Sequence, residues 1–212
     1  SKMNGGSLIK KMRAKFQLQE DVTYLFTGSQ ESIMEQLFAS RSQAFFRFGR
    51  ILSVGELPEG ALKKYILKTF QRLGFSLTED VVNKIVSKTN AHPYYSQLLS
   101  QLIYFSLKGE KKCIEKKDVE DNFVRAIFAE KSYFDQLWSE LMESRHLLTV
   151  LKTIVLEEKH PYKIGQLSTH NLYRSLLALE NKGLIKKISR GKYIVRDPLL
   201  KGYIRMRETG AV

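Results

Sequence analysis

Leu184-Ile185-Lys186-Lys187-Ile188, a turn at Arg190-Gly191, and then Lys192-Tyr193-Ile194-Val195 mix apolar and basic residues on either side of a glycine. Apolar and polar positions that alternate at period two predict two half-buried strands, and the Arg-Gly turn joins them as a β-hairpin. Reading backwards, Gly183 stops a helical pattern carrying Leu172, Leu176 and Leu179, with Ser168 and Thr169 as its cap and Ile164 and Leu167 ahead of it. Leucines spaced by four and three residues stay on one helical face, and glycine is the usual residue just past a helix end. A second helix runs through Leu147, Leu148, Leu151, Ile154 and Val155. A third runs through Phe134, Leu137, Trp138 and Leu141, beginning near Ser132 where the composition changes.

Helix, helix, helix, β-hairpin is the order of a winged helix-turn-helix. When such a domain reads DNA, the last helix enters the major groove and the wing lies on the adjacent backbone. Arg174 and Lys182 flank that helix here, and Lys186, Lys187, Arg190 and Lys192 decorate the wing. His170 and Asn171 stand at the helix N-terminus, where side chains reach base edges. The same cations would also decorate the solvated face of a protein-interaction module, so duplex DNA and a protein partner both stay open. The formal net charge of +13, from 35 basic and 22 acidic residues, favours a polyanionic partner, because neutralising phosphates releases counterions. A piece of a longer, charge-balanced protein would show the same excess.

Upstream of Ser132 the pattern is purely helical back to Leu57. Pro58 and Glu59 suit a first turn, and Leu62, Ile66, Phe70 and Leu73 form a buried stripe that Gly74 stops. Thr78 is expected to cap the next helix, with Glu79 and Asp80 at its positive end and Val81, Val82, Ile85 and Val86 inside. Pro93 opens a helix through Leu98, Leu99, Leu102, Ile103 and Phe105. After the Gly109-Glu110-Lys111-Lys112 turn, Asp118 begins a fourth through Val119, Phe123, Ile127 and Phe128. This block is a small helical bundle.

The first 55 residues read differently. From Ser7 to Gln19, Leu8, Ile9, Met12 and Phe16 make an apolar face opposite Lys10, Lys11 and Lys15, which predicts an amphipathic helix. Val22 to Thr27 is apolar on both faces apart from Thr23, as expected of a buried parallel strand, and it ends in the Gly28-Ser29 turn. A helix over 32–38 and a short strand over 50–54 follow. A central strand needs neighbours, so the sheet is expected to be either incomplete or completed by another chain. Residues 7–55 either pair with a second copy or collapse onto the helical bundle as helix, and self-association is the expectation.

Several classes are excluded by what the sequence lacks. No apolar run approaches the ~18 residues that span a bilayer. Residues 1–7 lack the apolar core of a signal peptide, and one cysteine, Cys113, forms no intramolecular disulfide; both point to a cytoplasmic setting. His92, His146, His160 and His170 have no metal-ligand spacing, so no metal site is expected. There is no G-x-x-x-x-G-K-[ST] stretch to cradle the phosphates of a nucleotide.

Phe26-Thr27-Gly28-Ser29-Gln30-Glu31-Ser32-Ile33-Met34-Glu35-Gln36-Leu37-Phe38 is similar to an F-x-G-S-x-x-S-x-M-x-x-L-F segment. Ser42 to Arg50 is similar to S-x-P-x-Y-x-R with Ala44 for the proline. His92-Pro93-Tyr94-Tyr95 looks like G-x-P-x-Y with Ala91 in the glycine position, and Asp197-Pro198-Leu199-Leu200 looks like D-P-x-x. With these four segments the chain resembles, from Ser7 onward, the archaeal-type ATPases of the STAND class, relatives of the AAA+ proteins. The resemblance implies a mainly α fold with a small β component: a truncated remnant of the α/β ATPase core (1–55), a helical lid bundle (56–131) and a winged helix-turn-helix (132–212).

It also implies roles. Thr27 or Ser29 would sense the γ-phosphate or attacking water, although Ser29 could equally cap the following helix. Arg47 or Arg50 would be an arginine finger, the alternative being an ordinary surface arginine. Pro93 would pack on the adenine, beside its plain role of starting a helix. In the complete family protein ATP and Mg are the cofactors; the phosphate loop and the Mg-binding carboxylate both belong upstream of Ser7. The expectation is therefore a C-terminal piece of a longer ATPase rather than a degenerate relative. It would couple nucleotide state to DNA or a partner protein and be inactive alone, the competing reading being a free-standing winged-helix DNA-binding regulator. Without a phosphate loop nothing neutralises a triphosphate, so calorimetric titration should find no ATP affinity tighter than roughly millimolar; a micromolar Kd would overturn this.

Overall fold

The computed structural model describes residues 5–28, 31–52, 57–110, 112–156 and 167–211. Among them the chain forms ten helices and one two-stranded sheet, the mainly α fold with a small β component that the sequence implies. It divides into two compact units, Ser1–Glu56 and Leu57–Val212.

In the first unit, α1 (Gly5–Phe16) and α2 (Glu31–Ala39) stand where the apolar periodicity puts them. The expected buried strand between them does not form. Residues 22–28 take no regular secondary structure and have no ladder partner, and Leu25 is 84% exposed. Nor do residues 50–52 form a strand; positions 53–54 of that expectation, like Ser29, lie outside the described residues. The physical reason is that a strand is stabilised by its neighbours, and the first unit supplies none among the described residues. Its apolar residues find an aromatic cluster instead. Tyr24 stacks on Phe16 with ring centroids 4.2 Å apart, and Phe26 lies 5.3 Å from both Phe38 and Phe45. The Arg13 guanidinium closes the cluster, donating to the carbonyls of Ala44 and, at 3.2 Å, Phe46.

The second unit contains α3 (Glu59–Arg72), α4 (Glu79–Lys88), α5 (Pro93–Leu107) and α6 (Lys116–Ala129) as a bundle. Then come α7 (Lys131–Met142), α8 (Arg145–Leu156), α9 (Thr169–Asn181), the hairpin β1 (Ile185–Ser189) and β2 (Lys192–Val195), and α10 (Pro198–Glu208). One apolar core runs through all of it, from Ile85, Leu99, Ile103 and Val119 to Phe134, Leu151, Leu179 and Tyr203, each almost fully buried. The apolar stripes of the sequence are the ones that build this core.

Two helix starts differ from expectation. Thr78 occupies the N-cap of α4 but its side chain makes no cap bond. α6 begins two residues earlier than Asp118: the Glu115 N–H donates to Asp118 Oδ2 at 2.7 Å, a reciprocal cap that makes Asp118 the third residue of the helix.

α10 is not legible in the sequence as a helix. Asp197 caps it, Oδ1 accepting from the N–H groups of Leu199 (2.9 Å) and Leu200 (3.0 Å), and Pro198 fills the first helical position. It packs on α6, α7, α8 and β2. Gly202 makes the approach to α6 possible, since a Cβ there would come within 2.5 Å of Ile127 Cδ1 and 3.3 Å of Phe123 Cε1.

α4 ends in a turn of unusual geometry. Ala91 N–H returns to the Val86 carbonyl at 2.9 Å, and Asn90 and Ala91 both take positive φ, 50° and 54°. Asparagine tolerates the left-handed region; alanine is strained there by its Cβ. Ala91 is the residue standing in the glycine position noted above, so the backbone keeps a glycine conformation without the glycine. Ala91→Gly should raise stability by about 1 kcal/mol and Tm by roughly 2–4 °C, read by thermal unfolding. A drop in Tm would show that the turn is not strained.

Candidate functional site

The first turn of α5 carries the Pro93 segment and is tied to the rest of the second unit by two adjacent tyrosines. Pro93 occupies the first helical position, exposed, after His92 as N-cap. Tyr94 donates its hydroxyl to Glu130 Oε1 at 2.7 Å, and Glu130 is the residue between α6 and α7. Tyr95 donates to Asp197 Oδ2, the other oxygen of the carboxylate that caps α10. Neighbours in sequence thus reach the two places where the chain turns into α7 and α10.

Burial, the hydrogen bond to Asp197 and the Asp197 charge together push the Tyr95 phenol well above its ordinary value. It therefore remains a donor at neutral pH. The hydrogen bond to Glu130 raises Tyr94 as well. The His92 ring packs on Tyr95 with centroids 4.7 Å apart, so the exposed Pro93 turn is rigidly supported from behind.

A second polar cluster joins α7 to α10. Tyr203 donates to Asp135 Oδ1 at 2.5 Å, Lys131 pairs with Oδ2 at 2.6 Å, and Arg207 lies 3.1 Å from Oδ1 and 4.7 Å above the Trp138 ring. The Lys131 and Tyr203 hydrogen bonds hold the Asp135 carboxyl below its usual range.

The winged-helix candidates occupy one surface only in part. His170 and Arg174 are exposed on α9, four residues apart and so on one face. Asn171 is half-buried, its N–H bound to Ser168 Oγ at 3.3 Å and its carbonyl accepting from Ser175. Lys182, at the C-cap, lines a cavity of about 200 Å³ with Tyr133, Gln136 and Glu140. On the hairpin Lys186 pairs with Ile194, Lys187 with Tyr193 and Ser189 with Lys192, an irregularity between Lys187 and Ser189 absorbing Ile188. Opposed residues share a face and neighbours alternate, so Lys186 and Lys192 lie on the outer face while Lys187 lies on the other. Arg190 is exposed at the turn. The sequence puts all four cations on the wing; its pleat divides Lys186 and Lys192 from Lys187.

Within the first unit, Thr27, Arg47 and Arg50 are exposed, Thr27 in the irregular segment ahead of α2. Arg47 takes a positive φ of 54° and its guanidinium lies 5.3 Å from the Phe46 ring. Ser29 is outside the described residues. Among the described residues no group of three or more His, Cys, Asp or Glu could hold a metal ion. With no phosphate loop in the sequence, the residues present do not fit a triphosphate with its Mg.

The structure is similar to the Walker-type ATPase PABY2304 of Pyrococcus abyssi, with a TM-score of 0.71 and 15% identity over 97% of this chain. The chain spans 59% of that protein's length. At this identity the likeness concerns the fold. The sequence matches no family model and no curated protein.

Sequence reading misses the tyrosine bridge. Tyr95 and Asp197 stand in separate motifs 102 residues apart, and only the fold brings them together. Tyr95→Phe should cost about 1.5 kcal/mol, the value of a hydrogen bond to a charged acceptor, in urea unfolding. Because the folded phenol titrates above the unfolded one, its contribution is complete below the ordinary value of 10.0 and is lost as pH rises beyond it. The variant should therefore lose less stability than the parent between neutral pH and strong alkali; equal losses would remove Tyr95 from the account.

Proposed function

We propose that this chain is the lid and winged-helix portion of an archaeal-type ATPase of the STAND/AAA+ class, transmitting nucleotide state to a bound partner without catalysing hydrolysis itself. The observation that carries this is the tyrosine bridge. Pro93, proposed to face the adenine in the complete protein, is followed by the two residues that grip Glu130 and Asp197. A displacement of the Pro93 turn is thereby applied at the start of α7 and at the start of α10, the first and last helices of the winged-helix region. Residues 56–131 act as the lid, 132–212 as the output domain and 1–55 as a remnant of the ATPase core.

In the complete protein ATP and Mg would be held upstream, with Thr27 or Ser29 as sensor and Arg47 or Arg50 as arginine finger. The output contacts would come from His170, Asn171, Arg174, Lys182, Lys186, Lys187, Arg190 and Lys192, all suited to a polyanionic partner, duplex DNA or an acidic protein. No helix among the described residues is long and apolar enough to cross a membrane; the cytoplasmic setting is part of the proposal.

Spin labels at Lys64→Cys on α3 and Glu180→Cys on α9, with Cys113→Ser, report whether the bridge transmits. Replacing both Tyr94 and Tyr95 by Phe should broaden or shift the inter-label distance distribution. An unchanged distribution would leave the proposal without its coupling element.

Self-association is part of the same reading, supported by Leu8, Met12, Val22, Leu25 and Leu52, all exposed in one small unit, and by the absence of a ladder partner for residues 22–28 among the described residues. Light scattering at tens of micromolar should then find a dimer, and removal of residues 1–55 should leave a folded monomer. A monomeric intact chain defeats it.

A further inference from the structure

We infer that the winged-helix surface takes an acidic, amphipathic segment of a partner protein in preference to duplex DNA. This deepens the proposed function and rests on its assignment of the winged helix as the output domain.

The exposed face of α9 is not simply basic. Tyr173 is 59% exposed and Leu177 45%, and helical spacing places them with His170 and Arg174 in one stripe. On the hairpin Ile194 stands opposite Lys186 on the outer face, 42% exposed, and Ile188 at the irregularity is 59% exposed. Apolar side chains of this size, exposed on both of the elements a winged helix uses for contact, mark a recognition surface rather than a solvated one.

The chemistry of the two possible partners differs at these positions. A major groove offers hydrogen-bonding base edges and phosphates, with thymine methyls as its apolar feature. A reader centred on Tyr173 and Leu177 would press apolar surface against that polar floor. The helix N-terminal turn, from which base edges are read, has Asn171 half-buried with its backbone already engaged in capping. Lys186 and Lys187 face opposite ways, so one phosphate backbone cannot run along both.

An amphipathic acidic segment reads no base edges and needs the cations of one face alone, Arg174 on α9 and Lys186 and Lys192 on the outer face of the hairpin. Its apolar side chains would cover Tyr173 and Leu177 while its carboxylates pair with the surrounding cations. Charge complementarity is pronounced: between Thr169 and Arg196 the chain has seven Lys or Arg and one carboxylate, Glu180. Apolar anchors within a charged rim are the usual anatomy of a protein interface, and steering by the rim speeds encounter.

The test is an NMR titration of the full chain with three probes. These are a helical peptide with leucines along one face and glutamates along the other, a peptide of the same composition with the leucines scattered, and a DNA duplex of mixed sequence. The expected result is saturable binding of the amphipathic peptide, with shifts confined to α9 and the hairpin and affinity about tenfold above that of the scattered peptide, since a single buried leucine contributes that much. Leu177→Ser should remove most of the difference, as should Tyr173→Ser tested separately; both side chains are exposed, and thermal unfolding verifies that each variant remains folded. Equal binding of the two peptides, a duplex that binds the same residues more tightly, or no binding at all would each overturn the inference. None of these outcomes bears on the spin-label distances that test the tyrosine bridge, so the partner assignment and the coupling mechanism fail separately.

Discussion

The second unit depends on the carboxylate of Asp197. One oxygen accepts two backbone N–H groups and starts α10; the other accepts the hydroxyl of Tyr95. The helix that follows then supplies Leu199, Leu200, Tyr203 and Ile204 to the core and Tyr203 and Arg207 to the cluster around Asp135. A neutral side chain could not serve as well, because an anion strengthens each of these hydrogen bonds and favours the helix N-terminus on which it sits. Pro198 adds a backbone already set for the first turn.

Glu130 plays a corresponding part at the start of α7. It takes the Tyr94 hydroxyl at the point where α6 passes into α7, a single residue separating the two helices and leaving no length for a flexible linker. The bundle α3–α6 and the elements from α7 to α10 consequently contribute to one apolar core. A signal can cross such a body only by moving packed elements together, and the first turn of α5 is where packed elements converge.

Much of this fold can be read from the residues. Helical stripes such as Leu62-Ile66-Phe70 or Leu172-Leu176-Leu179 report burial directly, since each helix has one face to hide and 3.6 residues per turn in which to hide it. The hairpin follows from its turn. Val22 to Thr27 misleads because apolarity on both faces is also what a segment shows when aromatic rings take the place of paired strands. α10 escapes notice because Pro198 and Gly202 interrupt its helical signal, although one fills the first turn and the other is a packing contact. For the site, the cations are visible in sequence, but the irregularity that absorbs Ile188 and the exposure of Tyr173 and Leu177 are properties of the folded surface.

The placement of α10 also sets a timetable for biosynthesis. A ribosome releases the bundle before α7, α8, α9 and the hairpin, and the Asp197 acceptor and the buried aromatic Tyr203 arrive only after these. Until then Phe134 and Trp138 lack the ring that covers them, and Tyr95 waits across a separation of 102 residues for its partner. A nascent chain stalled between Val195 and Pro198 would hold α7 to α9 and the hairpin with their core still open to solvent, a substrate for chaperones rather than a finished fold.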